Sequence, residues 1–224
     1  MGALVVSALV TLAPVTAAAP AVSGSGFGPR VVGGVNASES NWGGYIATGQ
    51  TFTSISGSWV EPHVTCSGSE LYAPWVGLDG YNDQTVEQTG VQTECVNGTP
   101  EVSAWYEMFP AGPKYFTNPA SIGDHFTASV QSLGNEMYTL TISDTTAGWS
   151  ETVTKSIPAM NASAEAIIEA PGGFPAIPHG VTFTHVTANG QPLSAYSPVK
   201  SIAYGGWVPG PLHGGAFRIT QKGS

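Results

Sequence analysis

From about residue 41 onward, short runs rich in Val, Ile, Thr, Tyr, Phe and Trp alternate with clusters of Gly, Pro, Asn and Asp. Within several runs the apolar side chains recur at every second position, the period of a strand that buries one face. Residues 137–143 set Tyr138, Leu140 and Ile142 against Thr139, Thr141 and Ser143, which predicts a half-buried strand with a threonine-rich outer face. Asn135 and Glu136, directly after Gly134, suit a hairpin turn into that strand. Further strands are predicted over residues 104–109, 126–131, 151–156 and 181–186. In the first of these, Trp105, Glu107 and Phe109 share one face and Tyr106 and Met108 the other, leaving a carboxyl between two aromatic rings. No long stretch has helical spacing, residues 171–179 read as an irregular loop, and the pattern predicts an all-β antiparallel β-sandwich with few or no helices.

The N-terminal part breaks the pattern. Ala3 to Ala19 form an Ala- and Val-rich run that ends in Thr16-Ala17-Ala18-Ala19-Pro20, the layout of a signal peptide over residues 1–19, although no Lys or Arg precedes it. Pro14 interrupts a run already shorter than the roughly 20 residues of a membrane span, so export is expected rather than anchoring. Residues 20–40 have no period and read as a linker or short pro-segment, leaving residues 41–224 as one domain. Cys66 and Cys95 are an even pair in an exported chain, which predicts one disulfide. Neither has a CxxC or nearby His partner, so no metal and no cofactor is expected. The expected product is a secreted, extracellular monomer, off the membrane once the signal is removed.

Charged residues are only 9% of the chain against 42% hydrophobic, the balance of a folded protein. The six Lys and Arg residues are scattered, so no basic stripe exists to collect phosphates and nucleic acid is not an expected partner. Fifteen Asp and Glu set against those six bases imply little self-repulsion once carboxylates are protonated, which fits a fold that tolerates acid.

Familiar nucleophile motifs are missing. There is no Gly-x-Ser-x-Gly elbow and no HExxH spacing among the five histidines, and the disulfide leaves no thiol. What remains are carboxyls and amides in apolar surroundings: Asp79 before Gly80, Gln88 before Thr89-Gly90, Glu107, and Glu165 with Glu169 around Ile167. Asp79 also suits a turn cap. Spacing of four puts Glu165 and Glu169 on the same strand face, and spacing alone does not choose between them.

Asn41-Trp42-Gly43-Gly44, the Trp75-to-Gly80 segment, Gln88-Thr89-Gly90, Trp105 to Pro110 and Ala164 to Glu169 together resemble, in order, the motifs of the glutamic peptidases, or eqolisins. The resemblance implies two large antiparallel sheets in a concanavalin-like sandwich and an acid endopeptidase with a Gln/Glu dyad acting on protein or peptide substrates. It places the dyad at Gln88 and Glu169, with Glu165 the fallback, and substrate contacts at Trp42, Trp75, Asp79, Glu107 and Phe109. In that dyad the glutamate, ionised near its ordinary value of about 4.3, takes a proton from water and returns it to the leaving amine, while the amide holds the oxyanion. Two positions depart from the family pattern. Ala166 stands where an aromatic is usual and Phe109 lacks a hydroxyl, which predicts altered cleft contacts at both. Two other readings compete: a non-catalytic carbohydrate-binding sandwich, and a glycosidase using Asp79 and Glu107 about 5–9.5 Å apart.

Overall fold

The computed structural model describes residues 27–30 and 39–223. The expected signal peptide lies outside the described residues, as does most of the 20–40 segment. The described residues form sixteen strands: β1 (Glu39–Ser40), β2 (Trp42–Thr48), β3 (Ser54–Val60), β4 (Leu71–Leu78), β5 (Val86–Val96), β6 (Thr99–Phe109), β7 (Lys114–Tyr115), β8 (His125–Gly134), β9 (Met137–Asp144), β10 (Trp149–Ser156), β11 (Ser163–Glu169), β12 (Val181–Ala188), β13 (Gln191–Pro192), β14 (Val199–Ala203), β15 (Trp207–Pro209) and β16 (Phe217–Gln221). The helical content of the described residues is one 3₁₀ turn, Leu193–Tyr196.

Two sheets result. The first runs β14-β2-β11-β4-β5-β6-β7 and the second β10-β9-β8-β3-β12-β16-β15-β14, so β14 belongs to both. Every ladder is antiparallel except the short β1–β14 pair. The sheets pack face to face, with β4 and β5 against β8 and β9. Strand alternation fills the space between them: Tyr72, Val76 and Leu78 of β4 and Ala164, Ala166 and Ile168 of β11 meet Phe126, Leu140 and Ile142. Tyr138, Leu140 and Ile142 are buried as their alternation predicts, and Asn135 and Glu136 form the turn before them at φ 50° and 62°.

Ala166 corrects one expectation. It lies on the core side of β11, so the missing aromatic ring there changes packing between the sheets and not the cleft.

Across β3, β8, β9 and β10 the outward side of the second sheet carries hydroxyls in place of Asp, Glu, Lys or Arg. Thr139 pairs with Thr154, Thr141 with Thr152 and Ser143 with Ser150 through their hydroxyls across β9 and β10, and Ser58 pairs with Thr127 across β3 and β8. Buried carboxyls, Glu61 and Glu87 among them, face the space between the sheets. Glu61 accepts bonds of 2.6 Å from both Tyr72 Oη and Thr93 Oγ1, and burial pushes it up to about 7. Glu87, on the inward register of β5, has no hydrogen-bond partner on either oxygen; burial first and then the charge of Asp79 push it up to about 9.

Cys66 and Cys95 form the predicted disulfide across 29 positions, tying the loop before β4 to the end of β5. A closed loop of that length removes roughly 3.5 kcal/mol of denatured-state freedom. Cys66→Ser/Cys95→Ser is therefore expected to lower the unfolding free energy by about that much and to lower the urea midpoint, with a somewhat larger m-value because the open denatured chain exposes more surface. An equal midpoint in the double variant would contradict this.

Candidate active site

The outward face of the first sheet carries its own aromatic cluster. Alternation on β2, β4, β6 and β11 brings Trp42, Trp75, Trp105 and Ile167 to this side, with Phe109 at its edge. Trp42 and Trp75 meet edge to face, their ring centroids 5.0 Å apart. In this apolar setting lie Gln88, Glu107 and Glu169, all buried. Gln88 stands directly opposite Glu107 in the β5–β6 ladder, and its Nε2 donates to Glu107 Oε2 at 2.9 Å. Glu169 ends β11 between Trp42 and Ala73, and its Oε1 accepts from Asn41 Nδ2 at 2.8 Å. One oxygen on each of the three, Gln88 Oε1, Glu107 Oε1 and Glu169 Oε2, has no hydrogen-bond partner.

Burial dominates the proton affinities. Loss of hydration pushes Glu169 up to about 8, against the opposing pull of Asn41, the Gly28 N–H and the indoles of Trp42 and Trp75. Glu107 rises to about 9, chiefly through burial and next through the charge of Glu169, while Gln88 and the Phe27 N–H pull it down. Both values differ from the expected ionisation near the ordinary carboxyl range, because the aromatic walls exclude the water that would stabilise a carboxylate.

Glu165 shares the outward face with Glu169, but neither side chain turns to solvent: both are buried. Register sets Glu165 beside Gly77, which in turn faces Gln88. Its carboxyl nonetheless sits among Ser163, Asp79, Asp83 and Glu87, and burial holds it well above the ordinary range. Asp79 directly follows β4, at φ 67°. Its two oxygens accept the backbone N–H groups of Asn161 at 2.7 Å and Ala162 at 2.5 Å, so it fastens the approach to β11.

A strap of the chain's own peptide crosses this face. Phe27 is fully buried and stacks on Trp105, with ring centroids 4.3 Å apart. Trp42 Nε1 donates to the Gly28 carbonyl at 3.0 Å and Asn41 Nδ2 to the Pro29 carbonyl at 3.1 Å. Arg30 donates through its backbone N–H to the Gly80 carbonyl and through Nε to Ser201 Oγ. Neither the strap nor Asn41 had been given a role by sequence reasoning. Asn41 opens the Asn-Trp-Gly-Gly motif, and Phe27 is the only aromatic residue between 20 and 40, a faint signal for a buried anchor.

A cavity of about 690 Å³ lies elsewhere, on the second sheet, among His63, His125, His179, His185 and Arg218. It shares no residue with the aromatic cluster, whose face the strap fills.

Comparison with known proteins places this arrangement. The chain is 30% identical over 139 residues to aspergillopepsin-2 of Aspergillus niger, covering 52% of this chain and 49% of that protein. It is 33% identical over 112 residues to scytalidopepsin B of Scytalidium lignicola, covering 49% and 42%. The chain thus spans about half the length of the curated relatives it matches. Its fold superposes on scytalido-glutamic peptidase bound to a transition state analog inhibitor with a TM-score of 0.72, 23% identity, and coverage of 82% of this chain and 98% of that one. It also superposes on SCP-B, a member of the eqolisin family in complex with the tripeptide Ala-Ile-His, at a TM-score of 0.68, 25% identity and the same coverage. The model of the peptidase A4 family matches residues 40–199, most of the described sandwich, and the chain belongs to that family.

Proposed function

We propose that this protein is a secreted acid endopeptidase whose dyad is Gln88 and Glu169. The observation that carries the reading is the burial of an amide and two carboxyls under aromatic walls, each with an oxygen left unpartnered, beneath a strand of peptide. Glu169 is favoured over Glu165 because its charge reaches Glu107, the hydrogen-bond partner of Gln88, whereas Glu165 is surrounded by the Asp79 group. Asp79, with both oxygens bonded to backbone, supports the loop and through it the register of β11. The same bonds argue against a glycosidase that would use Asp79 as a free carboxyl.

Peptide hydrolysis needs a base for water, a donor for the oxyanion and an acid for the departing amine. Glu107 fixes the Gln88 amide by accepting one N–H, which leaves a second N–H for an oxyanion and Oε1 for a water. Trp42, Trp75, Trp105 and Phe109 wall the peptide. Once substrate exchange admits water, the desolvation that raises Glu169 relaxes, its carboxylate becomes accessible in acid, and the proton it gains goes on to the leaving nitrogen.

The expected result for Gln88→Ala and for Glu169→Ala is a loss of casein digestion at acid pH of about 10²–10³-fold or more, with an unchanged near-UV CD spectrum. Near-normal activity in Glu169→Ala would transfer the role to Glu165. Near-normal activity in both would remove this dyad, and a wild-type protein that leaves casein uncut in acid would remove the peptidase reading and leave a passive binding module. Export with loss of residues 1–19 is read from the N-terminal sequence of secreted protein.

A further inference from the structure

We propose that the outward face of the second sheet, on the side of the sandwich away from the aromatic cluster, is a second binding site, which takes an acidic carbohydrate bearing uronate carboxylates in acid solution. The inference goes beyond the peptidase reading and does not depend on it. Two hollows carry it, of about 690 Å³ and about 430 Å³; both are lined by Thr184 and His185, so one groove follows β12. Four of the chain's five histidines, His63, His125, His179 and His185, line the larger hollow together with Arg218. All five of these side chains are exposed.

Strand register gathers the lining. Ser58 of β3 stands between Thr127 of β8 and Thr184 of β12, which lays a floor of three hydroxyls across neighbouring strands. His125 pairs with Val60 at one end of it, and Thr182 pairs with Arg218, whose Nε donates to Thr182 Oγ1 at 3.3 Å. His185 enters by a different device. The β3–β12 ladder shifts register between Thr184 and Thr187, a bulge of the kind that re-aims a side chain, and His185 takes φ 54°, which few residues with a Cβ adopt. The bulge is fastened from below: the Val186 N–H donates to the Gly215 carbonyl at 2.9 Å, and a Cβ at Gly215 would run into the Val186 backbone. His185 Nδ1 is thereby set 3.2 Å from Thr184 Oγ1, over the hydroxyl floor.

Histidine as a residue type gains its proton between neutral and mildly acid solution, so the lining goes from one positive charge, that of Arg218, to as many as five. Little opposes them. Glu61 is the one carboxyl in the lining, and its bonds turn inward to Tyr72 and Thr93. Asp124 lies beside His125 with Asp144 next to it; Asp124 Oδ2 accepts the Ser121 N–H, and Asp144 Oδ1 accepts those of Thr146 and Ala147. His213 reaches the rim of the smaller hollow through its backbone pairing with Ala216. The spacing does not suit a metal ion: among the described residues, no three histidine or carboxyl ligand atoms of this lining lie within 4.8 Å of one another.

A ligand for this groove must stay anionic where histidine is charged, and it must offer hydroxyls. A uronate does both. Its carboxyl is bonded to a carbon that bears the ring oxygen, which withdraws electrons as the nitrogen does beside an α-carboxyl, so it keeps its charge in solution acid enough to neutralise Asp and Glu side chains. Sugar hydroxyls match the Thr127–Ser58–Thr184 floor, and the Arg218 guanidinium offers a planar fork to the carboxylate. The carboxylates of an acidic peptide fade over the range in which the groove charges. A polymer held here leaves the aromatic face of the first sheet clear on the far side.

The test is isothermal titration of the full chain with an oligogalacturonate at about pH 4.5 and about pH 6.5, with near-UV CD confirming the fold at both. The expected result is binding at the lower pH that weakens by about tenfold or more at the higher, and that weakens again as salt rises from about 0.05 M to about 0.5 M. Arg218→Gln and His185→Asn, the latter chosen because Asn tolerates a positive φ, each weaken it by about threefold or more. Should either disturb the CD spectrum, His179→Gln, at an exposed loop position, carries the same expectation. A neutral galactose oligomer and an oligoglutamate of equal length bind about tenfold more weakly or worse. No binding by the wild-type chain at the lower pH, or an affinity indifferent to these variants, overturns the proposal. Equal affinity for the oligoglutamate makes the occupant an acidic peptide, equal affinity for the neutral oligomer removes the role of charge, and inorganic sulfate binding as tightly as the sugar leaves a plain anion site; each of these overturns the acidic-carbohydrate assignment.

Discussion

Raising the pH from the acid range to mildly alkaline solution is expected to unfold this protein. Five buried carboxyls hold protons in the folded state well above the ordinary glutamate value of 4.5: Glu61 to about 7, Glu169 to about 8, Glu87 and Glu107 to about 9, and Glu165 in the same direction. Burial is the first cause for each of them. The sign follows from proton counting. Between 4.5 and those folded values the native state binds more protons than the unfolded chain, so stability decreases as pH rises. The contribution is complete below about 4.5 and is lost progressively through about 7 to 9. One fully displaced carboxyl is worth about 1.4 kcal/mol per pH unit, and several together exceed the ~5–15 kcal/mol that holds a domain folded. Melting temperatures by calorimetry should fall steeply between about pH 5 and pH 8. Glu87→Gln, which cannot ionise, should flatten that fall. A melting temperature that stays level or climbs over this range would contradict the protonated core.

Gly90→Ala is expected to prevent native folding or to cost several kcal/mol, for a reason of space rather than backbone conformation. A Cβ at this position would lie 2.4 Å from the Pro74 carbonyl oxygen and 2.5 Å from Trp75 Cβ. Both atoms belong to the neighbouring strand, directly across the β4–β5 ladder, where no side-chain rotation relieves the clash. Overpacking against movable side chains costs about 1–3 kcal/mol, and backbone offers less room to give. Separating β4 from β5 would also shift Gln88, two residues earlier on the same strand, relative to Glu107. The measurement is urea unfolding of whatever soluble protein is obtained, with acid proteolysis alongside. A variant with wild-type stability would show that the two strands have slack.

Much of the fold was legible because strand periodicity is local. The faces of residues 104–109 and 137–143 follow from alternation alone: the structure sets Trp105 and Phe109 in one cluster and Tyr106 and Met108 in the other, and buries Tyr138, Leu140 and Ile142 together, as read. The strands run longer than predicted: β6 begins at Thr99 and β8 ends at Gly134, since ladders extend wherever a partner strand supplies hydrogen bonds, whatever the local pattern. The approximate company of Gln88 and Glu107 came with the family motifs, but their 2.9 Å bond depends on cross-strand register, which no single segment encodes. Ala166 was misassigned to the cleft because its motif says which residues travel together and not which way each one points. Glu87 and Glu61 drew no attention as isolated acids, because their burial is created by a second sheet drawn from distant sequence. Phe27 was hidden in a stretch with no period, for a strap held by one ring and a few backbone bonds leaves no repeating pattern to read.

The hydroxyl ladders across β3, β8, β9 and β10 have a colloidal consequence. Serine and threonine bind water equally well at any proton concentration, so this side of the molecule keeps its hydration as the carboxylates elsewhere lose their charge. A protein so poor in Lys and Arg can thus pass through zero net charge with one broad side still wet, where a surface relying on ions would turn sticky.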